Sequence, residues 1–321
     1  MGKLDISAKI YMSDSDRFAD AFNYIMPDGW QVVAKDLKEL DTNLFEIPYG
    51  INAKEPVQRV RDLVRSMIIK YDDRAVYVIG GLENESKVNY AMPVKALILD
   101  MLNYTKQIRE AEKSYRKQKD NGDSNSEFLS GFHKEDKLVP VITLTIHFGN
   151  QKWDGPRNIR EMFSETDPRI MKFLPDYEIN LISPNEIDDF SEFGTDLGAV
   201  LSYIKVSVDK KELKNLISSD ERFKCFDREA FNVINDATDS KLRMIEKEGK
   251  IDVCTAIKEI REEGREEGRQ EGDLKARQNV ALNMLRENGP SITVSFIAKM
   301  TGFSDDEVED LAKENGIALQ L

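Results

Sequence analysis

Cysteine is the first thing this sequence is short of: its 321 residues include only two, Cys225 and Cys254, in no spaced cluster. That excludes a disulfide scaffold and a cysteine-rich zinc site, and leads us to expect reduced thiols in a cytoplasmic protein. Histidine is equally scarce, with His133 and His147 alone, and neither anchors a zinc site by itself. No apolar run approaches the roughly 18 residues of a membrane span, so no membrane partner is expected. Positive charge is in deficit, 46 Lys and Arg against 59 Asp and Glu, for a net of −13. A general nucleic-acid coat protein is thereby excluded. A local basic groove is not, because phosphates respond to nearby charge. The N-terminus carries no secretory pattern, and Ile6 stands where acylation of Gly2 favours Ser or Thr. Walker-type glycine loops, Gly-x-Ser-x-Gly elbows and His-Glu-x-x-His pairs are all missing.

What remains is 40% hydrophobic and 33% charged, a globular balance, and the length suits about two domains. Phe18, Ala21, Phe22, Ile25 and Met26 recur at helical steps behind Ser13 or Asp14 as caps, predicting a helix that ends near Pro27. Residues 61–70 and 75–82 read as two strands of a hairpin turning at Asp72 and Asp73, the second one buried. A long helix is predicted over 93–117, strands over 138–148 and 177–182, and a mixed helical stretch over 184–236. Strands thus alternate with helices, which predicts an α/β fold with helices against a central sheet. His147 suits packing and His133 a loop. The oxygen-rich stretch 120–127 lacks the glycine of a calcium loop and reads as a connector.

The hairpin brings chemistry with it. Asp62 and Glu83 each lie about ten residues from its turn, so pairing folds two carboxylates toward one point. Strand periodicity of two puts Glu83, Glu85 and Lys87 on one face. Clustered carboxylates suit a hard cation such as Mg²⁺, which acidifies bound water and neutralises charge growing on a phosphate. The competing reading is that both acids merely end strands in solvent.

Asp62, then Glu83-Asn84-Glu85-Ser86, then Met92-Pro93-Val94-Lys95, resembles the recombination-promoting nuclease and transposase-like branch of the PD-(D/E)XK nucleases. That family has an Asp, then Glu-x-Gln-Ser, then Met-Pro-x-Arg opening a helix. The stretch 138–142 leading to His147-Phe148-Gly149 and Trp153 is similar to its proline-containing core strand, and the Glu-Gly repeats near the end are similar to its tail. The likeness implies a mixed central sheet flanked by helices over 1–240, a charged linker over 241–273 and a small all-helical tail over 274–321. It implies DNA as substrate, associated with mobile elements and recombination, and Mg²⁺ or Mn²⁺ as cofactor. Asp62 and Glu83 would be the metal ligands, helped by a backbone carbonyl near Glu85. Asp14 or Asp16 would add an outer acidic contact.

Two departures stand in this sequence. Glu85 replaces the family's Gln, itself a substitute for a lysine that holds the attacking water, and Lys95 replaces its Arg. Lys87 or Lys95 is then the candidate for the missing cation. An inactive nuclease fold serving as an oligomerising or protein-binding module is the alternative. For DNA contact, the best local basic patch is Lys113, Arg116, Lys117 and Lys119 at the end of the long helix, interleaved with Tyr115.

Residues 261–272 repeat Arg, Glu and Gly every four positions, predicting a solvated helical linker or a self-associating stalk and hence a possible homo-oligomer. Residues 291–315 read as two short helices joined at Thr301-Gly302-Phe303. Their second helix is strongly acidic, which favours protein contact over DNA reading.

Overall fold

The computed structural model describes residues 2–46, 57–118, 124–164, 167–240, 242–244, 246–247, 249–287 and 293–318. It is mixed α/β. The chain divides into two compact units, Met1–Cys254 and Thr255–Leu321.

The first unit opens with two helices, α1 (Lys3–Met12) and α2 (Ser15–Ile25). The second begins where Asp14 accepts the N–H groups of Asp16 and Arg17, which are among the orphan donors of a helix start. Short strands β1 (Gln31–Val32) and β2 (Lys38–Glu39) follow, then the separate hairpin β3 (Asn43–Glu46) and β4 (Val57–Val60). The hairpin at the heart of the fold is β5 (Leu63–Tyr71) and β6 (Arg74–Glu85), paired antiparallel from Leu63↔Leu82 to Tyr71↔Arg74. Its turn needs only two residues because Asp72 takes the left-handed conformation, φ 47°, which aspartate tolerates.

A long helix, α3 (Met92–Gln118), and a short one, α4 (Asn125–Ser130), carry the chain back to β7 (Val141–His147), which lies parallel to β6. Helix α5 (Pro168–Met171) leads to β8 (Asn180–Ile182), parallel to β7. The sheet order is β1-β5-β6-β7-β8, with β2 also pairing with β5. Helices α6 (Leu197–Val206), α7 (Lys210–Ser219) and α8 (Arg228–Thr238) and the two-residue strands β9 (Glu246–Lys247) and β10 (Lys250–Ile251) complete the unit.

Strand alternation decides what each face meets. A Cβ placed at Gly80 would lie 3.1 Å from the Phe22 ring of α2, whereas one at Gly81 would meet Arg61 and Thr143 on the opposite side, where Asp100 of α3 also bonds. Helix α2 therefore covers the even-numbered face of β6 and α3 the odd-numbered face. Phe18, Phe22, Leu82, Leu99, Leu144, Ile146 and Phe148 are all buried in the resulting layers. Burying such apolar surface is the main driving force holding them together.

The second unit contains most of α9 (Val253–Glu287) with α10 (Val294–Thr301) and α11 (Asp305–Glu314). The glycine-punctuated repeat lies within one continuous helix, where Glu266 pairs with Arg269. Gly268 and Gly272 have open space where a Cβ would project. Gly302, φ 71°, ends α10, and Ser304 with Glu307 forms a capping box that starts α11. Ala281, Leu285, Ile297, Ala298, Val308 and Ala312 make its small core. Among the described residues no helix is long and apolar enough to cross a membrane.

Candidate functional site

Register does the first part of the work. With Leu63 opposite Leu82, the residue before β5 and the residue after Leu82 arrive at the same end of the sheet. Those residues are Asp62 and Glu83. The expectation that Asp62 lies on the strand is corrected, since β5 begins at Leu63 and Asp62 stands one residue ahead of it. There its Oδ2 accepts the backbone N–H of Asn84 at 2.8 Å, tying it to the last turn of the pleat in β6.

Glu83 is 1% exposed, yet it carries a carboxylate. Its Oε2 lies 3.0 Å from Lys95 Nζ, and its Oε1 has no hydrogen-bond partner. Burial pushes its pKa up to about 7; Lys95 opposes the rise and the neighbouring Asp62 charge adds to it. Two residues on and on the same face, Glu85 Oε1 accepts from the same ammonium at 2.7 Å. Lys95 thus bridges both glutamates. Burial works against its charge, but the two carboxylates outweigh it and raise its pKa above the ordinary lysine value.

The lysine reaches this position because α3 opens at Met92-Pro93, where a proline costs no helix hydrogen bond, and Lys95 falls in the first turn. Asn89 shapes the entry: its side chain accepts the N–H of Ala91 and its carbonyl that of Met92. Lys87 behaves differently from expectation. Strand β6 ends at Glu85, so the alternation of faces stops before Lys87, which stands exposed on the following bend.

An open cleft of about 570 Å³ lies at the end of β6, lined by Asp62, Asn84, Glu85, Lys87, Tyr90 and Lys95 among others; Glu83 is not among its lining residues. Asp5 of α1 also lines it, an acid that sequence reasoning passed over. Asp14 caps α2, and neither it nor Asp16 is among the lining residues. Among the described residues no group of three or more His, Cys, Asp or Glu is arranged to hold a metal ion. Asp62 and the unpartnered oxygen of Glu83 offer two carboxylates, the number Mg²⁺ commonly takes from protein while it keeps several waters.

Behind the cleft the same sheet face holds a buried ion pair. Arg61, fully buried, donates to Asp100 Oδ1 and Thr143 Oγ1, each at 2.7 Å, and Tyr177 donates to Asp100 Oδ2 at 2.6 Å. Gly81 makes room, since a Cβ there would stand 1.6 Å from Arg61 Nη1. His147 is fully buried edge-on to Trp153, its ring nitrogens unpartnered and its pKa lowered by burial, in keeping with a packing role. His133 stacks on Tyr115 with ring centroids 3.7 Å apart.

The basic patch lies elsewhere. Lys113 and Lys117 are exposed on α3, Arg116 pairs with Glu112, and Lys119 lies outside the described residues. Lys113 is 18 residues beyond Lys95 on one helix, a rise of about 27 Å. Tyr115 is engaged with Asp136 and His133, so the aromatic there is already in use. No protein-family model, curated protein or solved structure matches this chain.

Proposed function

We propose that this protein is a Mg²⁺-dependent deoxyribonuclease with a PD-(D/E)XK-like catalytic unit, hydrolysing DNA phosphodiester bonds. The observation that carries the reading is Lys95 Nζ held between Glu83 and Glu85 at the mouth of the cleft that Asp62 lines. Glu85 stands where the resembled branch has a neutral Gln in place of the superfamily's lysine, and α3 brings a positive charge, Lys95, to the same point.

In this reading Asp62 and Glu83 would hold Mg²⁺ (or Mn²⁺), with the backbone near Glu85 completing the protein's share. When bound, such an ion lowers the pKa of its water and offsets charge on the phosphate. The chain's own groups do the rest. Asp62, fixed by the Asn84 N–H, orients one side of the site. Lys95 offsets charge growing on the phosphoryl oxygens, a role for which its raised pKa keeps it protonated. Lys87, exposed at the rim, attracts the backbone of the incoming strand. Lys113, Arg116 and Lys117 on α3 form a second region of positive potential for a longer duplex, within an acidic molecule that relies on local charge; Lys119, the other residue of that patch in the sequence, lies outside the described residues.

Asp62→Ala should abolish Mg²⁺-dependent nicking of plasmid DNA while circular dichroism stays near the parent's. Cleavage at the parental rate in that variant removes the assignment.

A second reading is a nuclease fold without chemistry, used as an oligomerising or protein-binding module. It is favoured by Lys95 pairing with both glutamates, which occupies the cation the chemistry would use. Calorimetric titration separates the two: heat of Mg²⁺ or Mn²⁺ binding that Asp62→Ala loses supports the nuclease, and no binding at millimolar metal supports the module.

A further inference from the structure

The rim of the cleft carries an exposed aromatic ring. Tyr90 is 61% exposed, on the turn between Lys87 and the start of α3. Its ring is nonetheless held in place, because the hydroxyl donates to Asp154 Oδ1 at 2.9 Å from the segment after β7. An exposed ring costs little to cover, and one already anchored loses little side-chain freedom when something stacks on it.

Its neighbours say what chemistry that would be. Lys87 and Lys95 line the same cleft, and the amino end of the 27-residue helix α3 points there, so one side of the cavity favours phosphate. A second observation marks the cleft as built for a ligand. Asn84, also in its lining, is 6% exposed and has neither side-chain oxygen nor nitrogen paired. Phosphate-binding groups next to an anchored aromatic surface are the two halves of a nucleotide site.

A base within a duplex is stacked on its neighbours and presents only an edge to a groove, so its flat face cannot reach Tyr90. We propose that the cleft takes DNA with an unpaired nucleotide next to the phosphate held by Lys87 and Lys95, the base stacking on Tyr90. The substrate class is then junctions, flaps and frayed ends of DNA, with preference for structure and little for sequence, since every base has a face to stack. This rests on the nuclease reading of the same site.

The test uses the full chain with Ca²⁺ in place of Mg²⁺ and a fluorescein-labelled duplex, with and without a single-stranded arm carrying 2-aminopurine at the junction. Expected are binding of the armed substrate at least tenfold tighter than the blunt duplex and quenching of the 2-aminopurine. In Tyr90→Ala the ratio of the two affinities falls toward one and the quenching is lost, whereas Tyr90→Phe, which keeps the ring, retains both. A parental ratio near one, or a ratio unchanged in Tyr90→Ala, overturns the inference. The same mixtures with Mg²⁺ read cleavage. Cleavage of armed and blunt DNA at equal rates leaves the nuclease and removes the preference. Tyr90-dependent binding with no cleavage in Mg²⁺ or Mn²⁺ keeps the unpaired-base site and removes the nuclease.

Discussion

Lys95 and Glu85 meet at 2.7 Å across the junction of a helix and a strand, although ten residues separate them in the chain. Glu85, at the end of β6, thereby shares the Lys95 ammonium with Glu83. If that ammonium acts on the phosphate, Lys95→Met should lower the single-turnover cleavage rate by about 100-fold, the scale of losing one transition-state donor. Quenched-flow measurement at saturating enzyme would check it, and a rate within threefold of the parent's would leave Lys95 a structural role only.

Glu83 gives the protein a pH signature. Its pKa is pushed from the ordinary 4.5 up to about 7 in the folded, metal-free state. The folded protein therefore holds a proton that the unfolded chain has released between those values, so stability present below pH 4.5 is lost as pH rises toward and through 7. The loss is roughly 3 kcal/mol for this single group. Glu83→Gln has no such proton to lose, so its stability relative to the parent should increase between pH 5 and pH 8. Urea denaturation of both proteins at the two pH values measures this, and a constant difference would contradict it.

The buried ion pair behind the cleft predicts a larger effect. Removing the partner of fully buried Arg61 through Asp100→Ala should cost about 3–5 kcal/mol, because the guanidinium keeps its charge and loses its carboxylate. Chemical denaturation would show it as a midpoint shift with little change in slope.

Gly81→Ala tests the same spot by sterics. The added methyl would stand 1.6 Å from Arg61 Nη1, so either the pair or the strand must move. A loss of about 1–3 kcal/mol is expected, the range for overpacking a closed core. The equivalent change at Gly268, open within 4 Å, should be neutral or stabilising, since alanine is the better helix former.

Several features were legible in the sequence because local chemistry determined them. The Asp72-Asp73 turn and the apolar runs on either side gave the β5–β6 hairpin, and the hairpin alone placed Asp62 level with Glu83. A cap at Ser13 or Asp14, a long helix over 93–117 and a strand over 138–148 follow from the same kinds of signal; the structure has Asp14 as the cap, the helix over Met92–Gln118 and the strand shortened to Val141–His147. The choice between Lys87 and Lys95 was not legible, since it turns on whether β6 ends at Glu85 or two residues later. Asp5 escaped notice because α1 has weak amphipathic patterning, and only tertiary packing brings it to the cleft. The buried pair of Arg61 and Asp100 was not legible, because charged residue types are seldom buried and the room for Arg61 comes from Gly81, on strand β6.

Because β6 runs antiparallel to β5 and parallel to β7, the start of one strand and the ends of two others fall along a single border of the sheet. The opposite border, where Asp72 and Asp73 turn the chain, is about 30 Å away along the strands. Engineering can exploit that polarity: a fluorescent protein or affinity peptide spliced into the tight turn would sit remote from the cleft and report on the molecule without blocking it.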